Sequence, residues 1–312
     1  MGSAKVSQKD TENQALPFTG ERFTPECVRE IWYEHMHRYA VAASLCAGKQ
    51  VLDAACGEGY GSAILAARAA SVTGLDIDPE AVTHARERYA ALSGLSFEQG
   101  DCAQLPFEDD SFDRVVSFET LEHLEAQEAM LSEFRRVLKA DGLLVISSPD
   151  KAVYTEQQGN DNPFHVRELY REELETLLHQ QFPAVRLLGQ KLLFQSAIWS
   201  LDPAPGVRLQ QQAPDGAVYE GEQMPHAPVY FVALCAAEPE LLPALPSGLW
   251  LFDDVEESVY AHYYQEIRRC MAADVMLVEQ NEEIARLRAA LDTARQETGQ
   301  GASWLGRLFR RS

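Results

Sequence analysis

Short apolar runs and amphipathic stretches alternate along most of this chain. Val28, Ile31, Trp32, His35, Tyr39, Ala42 and Ala43 recur at three- and four-residue spacing, which predicts a helix over 26–47. QVLDAA (50–55) is a short apolar run that ends in a Gly-rich turn. An Ala-rich helix over 62–70 and a strand over 71–77 follow. Pro79 suits the first turn of the next helix, which the pattern carries to about Leu92. Further strands are predicted at 95–100, 112–118, 143–149, 184–193 and 229–236. Helices are predicted at 126–138, with a stop at Asp141-Gly142, and at 172–181. Such alternation predicts an α/β domain, a doubly wound parallel sheet covered on both faces. The Pro/Gly/Gln-rich stretch 200–227 is long for a connection, which favours a functional loop or lid.

The pattern changes after Pro246. Residues 254–297 form a polar, helical run without a glycine-proline break until Gly299. Leu277, Ile284 and Leu291 are seven apart, with Leu287 and Ala294 interleaved, and Tyr263 and Cys270 extend the spacing backwards. That is a short coiled-coil seam, and it predicts a homodimer. In the tail, Trp304, Leu305, Leu308 and Phe309 share a helical face with Arg307, Arg310 and Arg311 around it, the make-up of an interfacial anchor. The expected organisation is a disordered start (1–15), a catalytic domain (16–246, lid about 195–227), a helical extension (247–298) and an amphipathic basic tail (299–312).

Composition narrows the function. The 48 acidic and 27 basic residues give a formal charge of -21, which excludes a nucleic-acid-binding surface outside the basic tail. No apolar run approaches the ~20 residues of a membrane span, and the polar N-terminus is unlike a secretory leader. A cytoplasmic protein, peripheral at the membrane if the tail acts as an anchor, is the expectation. The six cysteines stand singly, without zinc spacing, so reduced thiols are expected and no metal site is indicated.

The chemistry concentrates in VLDAACGEGYGSA (51–63). Glycines at 57, 59 and 61 let the backbone turn tightly and approach a ligand, and the helix start beyond them offers free N–H groups. Asp76 ends the second strand, where a carboxylate can accept from ribose hydroxyls. The dinucleotide pattern would put its third glycine at position 62, where this chain has Ser62.

These residues resemble the class I S-adenosylmethionine-dependent methyltransferases of the methyltransferase-11-like type. The resemblance runs through Asp53–Gly61, the acid of GLDID at Asp76, QGDCAQLPF (99–107), FDRVVSFETLEHL (112–124) and RRVLKADGLLVISSP (135–149). It implies a Rossmann-like, seven-stranded sheet whose last strand is antiparallel, and S-adenosyl-L-methionine as cofactor. The implied cofactor-binding set is Arg22, Arg38, Tyr39, Asp53, Ala55, Gly57, Gly59, Tyr60, Gly61, Asp76, Ile77, Asp101, Cys102, Phe118 and Glu119. Within it, Asp101 would receive the adenine amino group, Cys102 would lie beside the base, and Glu119 near the methionine end. Arg22 or Arg38 could pair with the methionine carboxylate.

The acceptor is sought outside this core. TGERFTPE (19–26), EHMHRYAVA (34–42) and SSPDKAVYTEQQGNDNPFHVREL (147–169) resemble methyltransferases associated with bacterial surface-polysaccharide (O-antigen, lipopolysaccharide) synthesis. That implies O-methylation of a sugar hydroxyl of a glycan or its precursor; Asp150 departs from the more usual Asn. A hydroxyl must lose its proton as the methyl arrives, and His is the side chain most easily poised to take it. His123, in LEHL, and His165, in NPFHV, are the candidates, with Glu122 able to orient either. The alternatives are methyl transfer to another small-molecule hydroxyl and a cofactor-binding scaffold without turnover.

Overall fold

The computed structural model describes residue 24 and residues 30–195, 209–214, 216–221, 224–245 and 248–308, with side chains as far as residue 296. Seven strands form the main sheet: β1 (Gln50–Ala54), β2 (Ser71–Asp76), β3 (Leu95–Gln99), β4 (Phe112–Ser117), β5 (Leu138–Pro149), β6 (Ala184–Gln190) and β9 (Tyr230–Ala236). Their order is β3-β2-β1-β4-β5-β9-β6. β1 to β5 pair in parallel, and β9 runs antiparallel between β5 and β6. The last strand of the sheet is thus the antiparallel one, as the resemblance implies.

Alternate residues of each strand face opposite layers. Leu52, Val115, Leu144 and Ile146 share one core with Met130, Leu131 and Phe134 of α4 (Gln127–Val137) and Leu174, Leu177 and Leu178 of α5 (Arg171–His179). Val51, Val116, Val145 and Leu234 share the other with Tyr39, Ala42 and Ala43 of α1 (Glu30–Leu45) and Leu65 of α2 (Tyr60–Ala66). Strands buried on both faces explain why they read as continuous apolar runs. On the β3 side, Val82 and Ala85 of α3 (Pro79–Arg88) pack on Phe97 and Cys56. Asp78 caps α3 by accepting from the Glu80 N–H at 2.8 Å, and Pro79 follows it.

Three elements differ from the sequence pattern. The chain leaves α4 directly into β5 at Leu138, which is buried and pairs with Phe112, so the expected stop at Asp141-Gly142 lies inside the strand. The register shifts between Phe112 and Arg114 to absorb the extra residues. A π-helical turn (Ala152–Gln157) follows β5. Within the Pro/Gly/Gln-rich stretch, β7 (Leu209–Gln212) pairs antiparallel with β8 (Val218–Gly221).

The chain divides after Phe252 into two compact units. Phe252 stays with the first because its ring meets Trp32, Tyr33 and His37 of α1 at centroid distances of 5.4–5.9 Å. The second unit is α6 (Ser258–Leu308), a 51-residue helix. Asp254 holds its first turn, accepting from the N–H and hydroxyl of Ser258. Tyr263, Cys270, Leu277, Ile284, Leu287 and Leu291 are all exposed. Among the described residues, no helix is long and apolar enough to cross a membrane.

Candidate active site

Strand order reverses between β1 and β4, and in open α/β sheets ligands bind beyond the strand C-termini at such a point. Backbone strain gathers there. Ala55, one residue past β1, has φ 60°, and Glu119, two residues past β4, has φ 50°. For residues with a Cβ that conformation is costly and recurs at functional sites.

Beyond β1 the chain turns through Gly57 and Gly59, both at positive φ, into α2. Asp76, at the end of β2, ties this turn down. One carboxylate oxygen accepts from the Gly57 N–H at 2.8 Å and the other from the Asp78 N–H at 2.9 Å. Each oxygen keeps a further lone pair. The glycines do less for ligand approach than the sequence implies. A Cβ on Gly59 would meet the Phe97 ring at 2.8 Å, and one on Gly61 the Tyr39 ring at 2.0 Å. Both therefore make room for rings of the protein itself.

Asp53 lies beneath the turn with no exposed surface. It accepts from the Ser62 hydroxyl at 2.6 Å and the Tyr39 hydroxyl at 3.1 Å. Burial pushes its carboxyl up to about 7. Ser62, the departure from the dinucleotide pattern, is thus the link between α2 and β1. Tyr39 meets Tyr60 and Phe118 edge-on, at 5.2 and 5.0 Å.

Along the rim, Ile77 is 67% exposed, an apolar side chain left open directly after Asp76. Asp101 is exposed, with one carboxylate oxygen accepting from the Ala103 N–H at 2.8 Å. Cys102 beside it is buried, and burial pushes its thiol up to about 12.

Arg38 is buried. Its guanidinium donates to Gln190 Oε1 at 2.8 Å, stands 3.6 Å from Glu119 and lies over the Tyr230 ring at 4.9 Å, while its Nε finds no hydrogen-bond partner. Glu119 in turn accepts from the Ser147 hydroxyl at 2.7 Å. Glu34 shares the cluster, and burial lifts its carboxyl to about 7. Sequence reasoning missed Glu34, one turn before Arg38 on α1, and also Gln190 and Tyr230, because β6 and β9 reach this edge only through sheet pairing. Arg22 lies outside the described residues.

The two histidines, 42 residues apart in sequence, come together. His123 ends a tight 3-10 turn, Leu121–His123. The carbonyl of Glu122 accepts from the N–H groups of Val166 and Arg167 at 2.8 and 3.0 Å. Gln127 donates to the carbonyls of Leu121 and Arg167, both at 2.8 Å. These bonds fasten the 162–167 loop onto the turn after β4. The imidazole centroids are 5.0 Å apart, edge to face, and Tyr154 stacks on His165 at 5.4 Å. His165 Nδ1 faces Glu168 Oε1 at 2.5 Å, and Glu168 also accepts from the Thr155 hydroxyl. Glu122 is fully buried, and burial pushes its carboxyl well up. Nothing in the sequence marks Tyr154 and Thr155 as neighbours of His165, because the π-helical turn that presents them has no apolar period.

Sheet order, glycine turn, the acid ending β2 and the strained edge define a Rossmann-like domain of the class I methyltransferase type. The family described as a methyltransferase domain matches residues 52–146. A probable S-adenosylmethionine-dependent methyltransferase of Mycolicibacterium smegmatis is 42% identical over 169 residues, 53% of this chain and 64% of the relative. A fatty-acid O-methyltransferase of the same species is 39% identical over 97 residues, covering 30% and 35% of the two chains. A probable phthiotriol/phenolphthiotriol dimycocerosates methyltransferase of Mycobacterium ulcerans is 41% identical over 108 residues, covering 34% and 41%. The chain thus spans under two thirds of the length of each. Residues 52–146 carry the match to a methyltransferase domain. None of these relatives points to a surface glycan.

Proposed function

We propose that the protein transfers the methyl group of S-adenosylmethionine to a hydroxyl oxygen of a small-molecule or glycan acceptor. The observation that carries this reading is the pairing of His123 and His165 at the sheet edge that also bears the Gly57 turn and Asp76. On the cofactor side, the free lone pairs of Asp76 suit two ribose hydroxyls, Ile77 offers an apolar face to a base, and Asp101 keeps one carboxylate oxygen open. These features fit the cofactor. When bound, it supplies an electrophilic methyl on a sulfonium. Asp53, Tyr39, Ser62, Ala55, Gly59, Tyr60, Gly61 and Phe118 shape the floor beneath it, and Cys102 its wall. Arg38, Glu119 and Glu34 form the charged end, where the orphaned Arg38 Nε suits the methionine carboxylate.

On the acceptor side, His123 and His165 provide for removal of the hydroxyl proton. Glu168 holds the His165 ring in place and Tyr154 covers its face. The O–CH3 bond forms as the S–CH3 bond breaks, and the proton leaves the site. Positioning supplies much of the rate, and assisted deprotonation contributes roughly 10²–10⁴. Resemblance of the flanking segments favours a sugar hydroxyl. A second reading, a lipid acceptor, is favoured by exposed Phe164 and Val166 on either side of His165 and by the names of the two lipid-directed relatives.

The exposed seam of α6 supports a homodimer, in a protein acting in the cytoplasm. The basic tail proposed as a peripheral membrane anchor lies outside the described side chains. Incubation with methyl-labelled cofactor and separate glycan and lipid extracts tests the function. Label should enter one fraction, with turnover falling by roughly 10²–10⁴ in His165→Ala or His123→Ala while cofactor binding survives. Cofactor binding with no transfer to any fraction would favour the scaffold reading.

A further inference from the structure

Glu122, His123 and His165 present three potential ligand atoms that lie within 4.8 Å of one another. Both rings are held at Nδ1. His123 Nδ1 is 3.0 Å from the carbonyl of Phe164 and His165 Nδ1 is 2.5 Å from Glu168 Oε1. A carbonyl or carboxylate only accepts, so each Nδ1 carries the proton. A proton on Nδ1 makes Nε2 the ligating atom of a neutral ring, and metal-bound histidines show this arrangement, with the outer nitrogen donating to a carbonyl or a carboxylate.

The third atom comes from a group in need of a cation. Both oxygens of the fully buried Glu122 carboxylate are without a hydrogen-bond partner. His123 Nε2 stands 4.0 Å from Oε1. A buried carboxylate is normally paired or metal-bound, because stripping its water is costly. Two imidazoles and one carboxylate are a donor set that suits zinc and its neighbours in the first transition row.

We propose that Glu122, His123 and His165 bind a divalent transition cation of the zinc type at the acceptor side of the site. Tetrahedral bonds of about 2.0–2.2 Å put ligand atoms roughly 3.3–3.6 Å apart, so the three side chains close by about an ångström on loading. Three protein ligands leave a fourth position open, and a hydroxyl oxygen bound there loses its proton more readily. This deepens the methyl-transfer reading and rests on it for the role, though not for the site. The O–H bond breaks with the proton passing to water. The oxygen then takes the methyl, and the S–CH3 electron pair returns to sulfur. Glu168 is a positioning residue, orienting His165 through Nδ1.

The test uses the full-length protein, stripped with a chelator and titrated with Zn²⁺ against a fluorescent competitor. The wild type should show one site that the His123→Ala/His165→Ala variant lacks. Glu168→Gln should weaken that site roughly 10–100-fold, as loss of an outer partner does elsewhere. Zn²⁺ should raise the melting temperature of the wild type and not that of the double variant. Uptake by the wild type no greater than by the double variant would overturn the proposal. Calorimetric binding of S-adenosylmethionine in the same samples confirms that the variants are folded. It also separates the two readings. Cofactor binding without the zinc site removes the cation alone, whereas a zinc site without cofactor binding removes the methyl-transfer reading and leaves the site.

Discussion

Replacing Asp76 by Ala tests the cofactor side at its most exposed assumption. The carboxylate has two duties. Inwardly, it accepts from the Gly57 and Asp78 N–H groups at 2.8 and 2.9 Å, holding the turn after β1 against the start of α3. Outwardly, one lone pair on each oxygen remains for a ribose hydroxyl. Hydrogen bonds to a charged acceptor contribute roughly 1.5–3 kcal/mol each, and water replaces part of that. A net loss equal to one such bond weakens binding by about 10–150-fold. Asn is no milder substitute, since its NH2 would face one of the two backbone N–H donors. Asp78→Ala is the control. It removes the α3 cap at Glu80, at about 1 kcal/mol of stability, and leaves the Asp76 carboxylate and the Asp78 N–H in place. Calorimetry should show Asp76→Ala binding S-adenosylmethionine at least tenfold more weakly and Asp78→Ala binding as wild type. An Asp76→Ala protein that binds as tightly as wild type would refute the ribose assignment. Equal weakening in both variants would mean that turn geometry, not the ligand bonds, sets the affinity.

Three other outcomes follow from the same geometry. Asp53 has an ordinary value of 3.8 and sits near 7 in the fold, so its neutral form favours folding; that contribution is fully present below about 3.8 and is lost as pH rises through 7, by roughly 4 kcal/mol. Urea unfolding should therefore show Asp53→Asn gaining on wild type between pH 4 and 8, and a pH-independent difference would reject the buried-carboxyl reading. Gly61→Ala puts a methyl 2.0 Å from the Tyr39 ring and should cost about 1–3 kcal/mol, read as a fall of roughly 2–4 °C in melting temperature per kcal/mol; an unchanged melting temperature would show that α1 is not seated on α2 as described. Truncation after Phe252, rather than after Pro246, keeps the ring that packs on α1 and should convert a dimer in light scattering to a monomer, whereas a full-length protein that scatters as a monomer at micromolar concentration removes the α6 dimer.

The amino-acid order by itself determined the architecture, because the central parallel strands β1, β4 and β5 are buried on both faces along most of their length and are written as apolar runs. It also determined the turn: Gly57 and Gly59 adopt positive φ, and Asp76 reaches back 19 residues to the Gly57 N–H, as strand and turn spacing require. What it left open was decided by contacts across the sheet and between loops. Asp141-Gly142 reads as a helix stop, yet burial of Leu138 against its neighbours starts β5 earlier. Gly61 reads as room for a ligand, yet the room is taken by Tyr39, which is 22 residues earlier in the chain. Arg38 reads as a partner for the methionine carboxylate, and only the sheet shows that β6 and β9 enclose it with Gln190 and Tyr230. His123 and His165 read as two separate candidates. Only the bonds from Val166, Arg167 and Gln127 to the turn around Glu122 bring their rings together beside a buried carboxylate. Local spacing records which side chains share a face of one element. Which elements meet depends on the pairing of backbone groups far apart in the chain, and a single sequence carries no period for that.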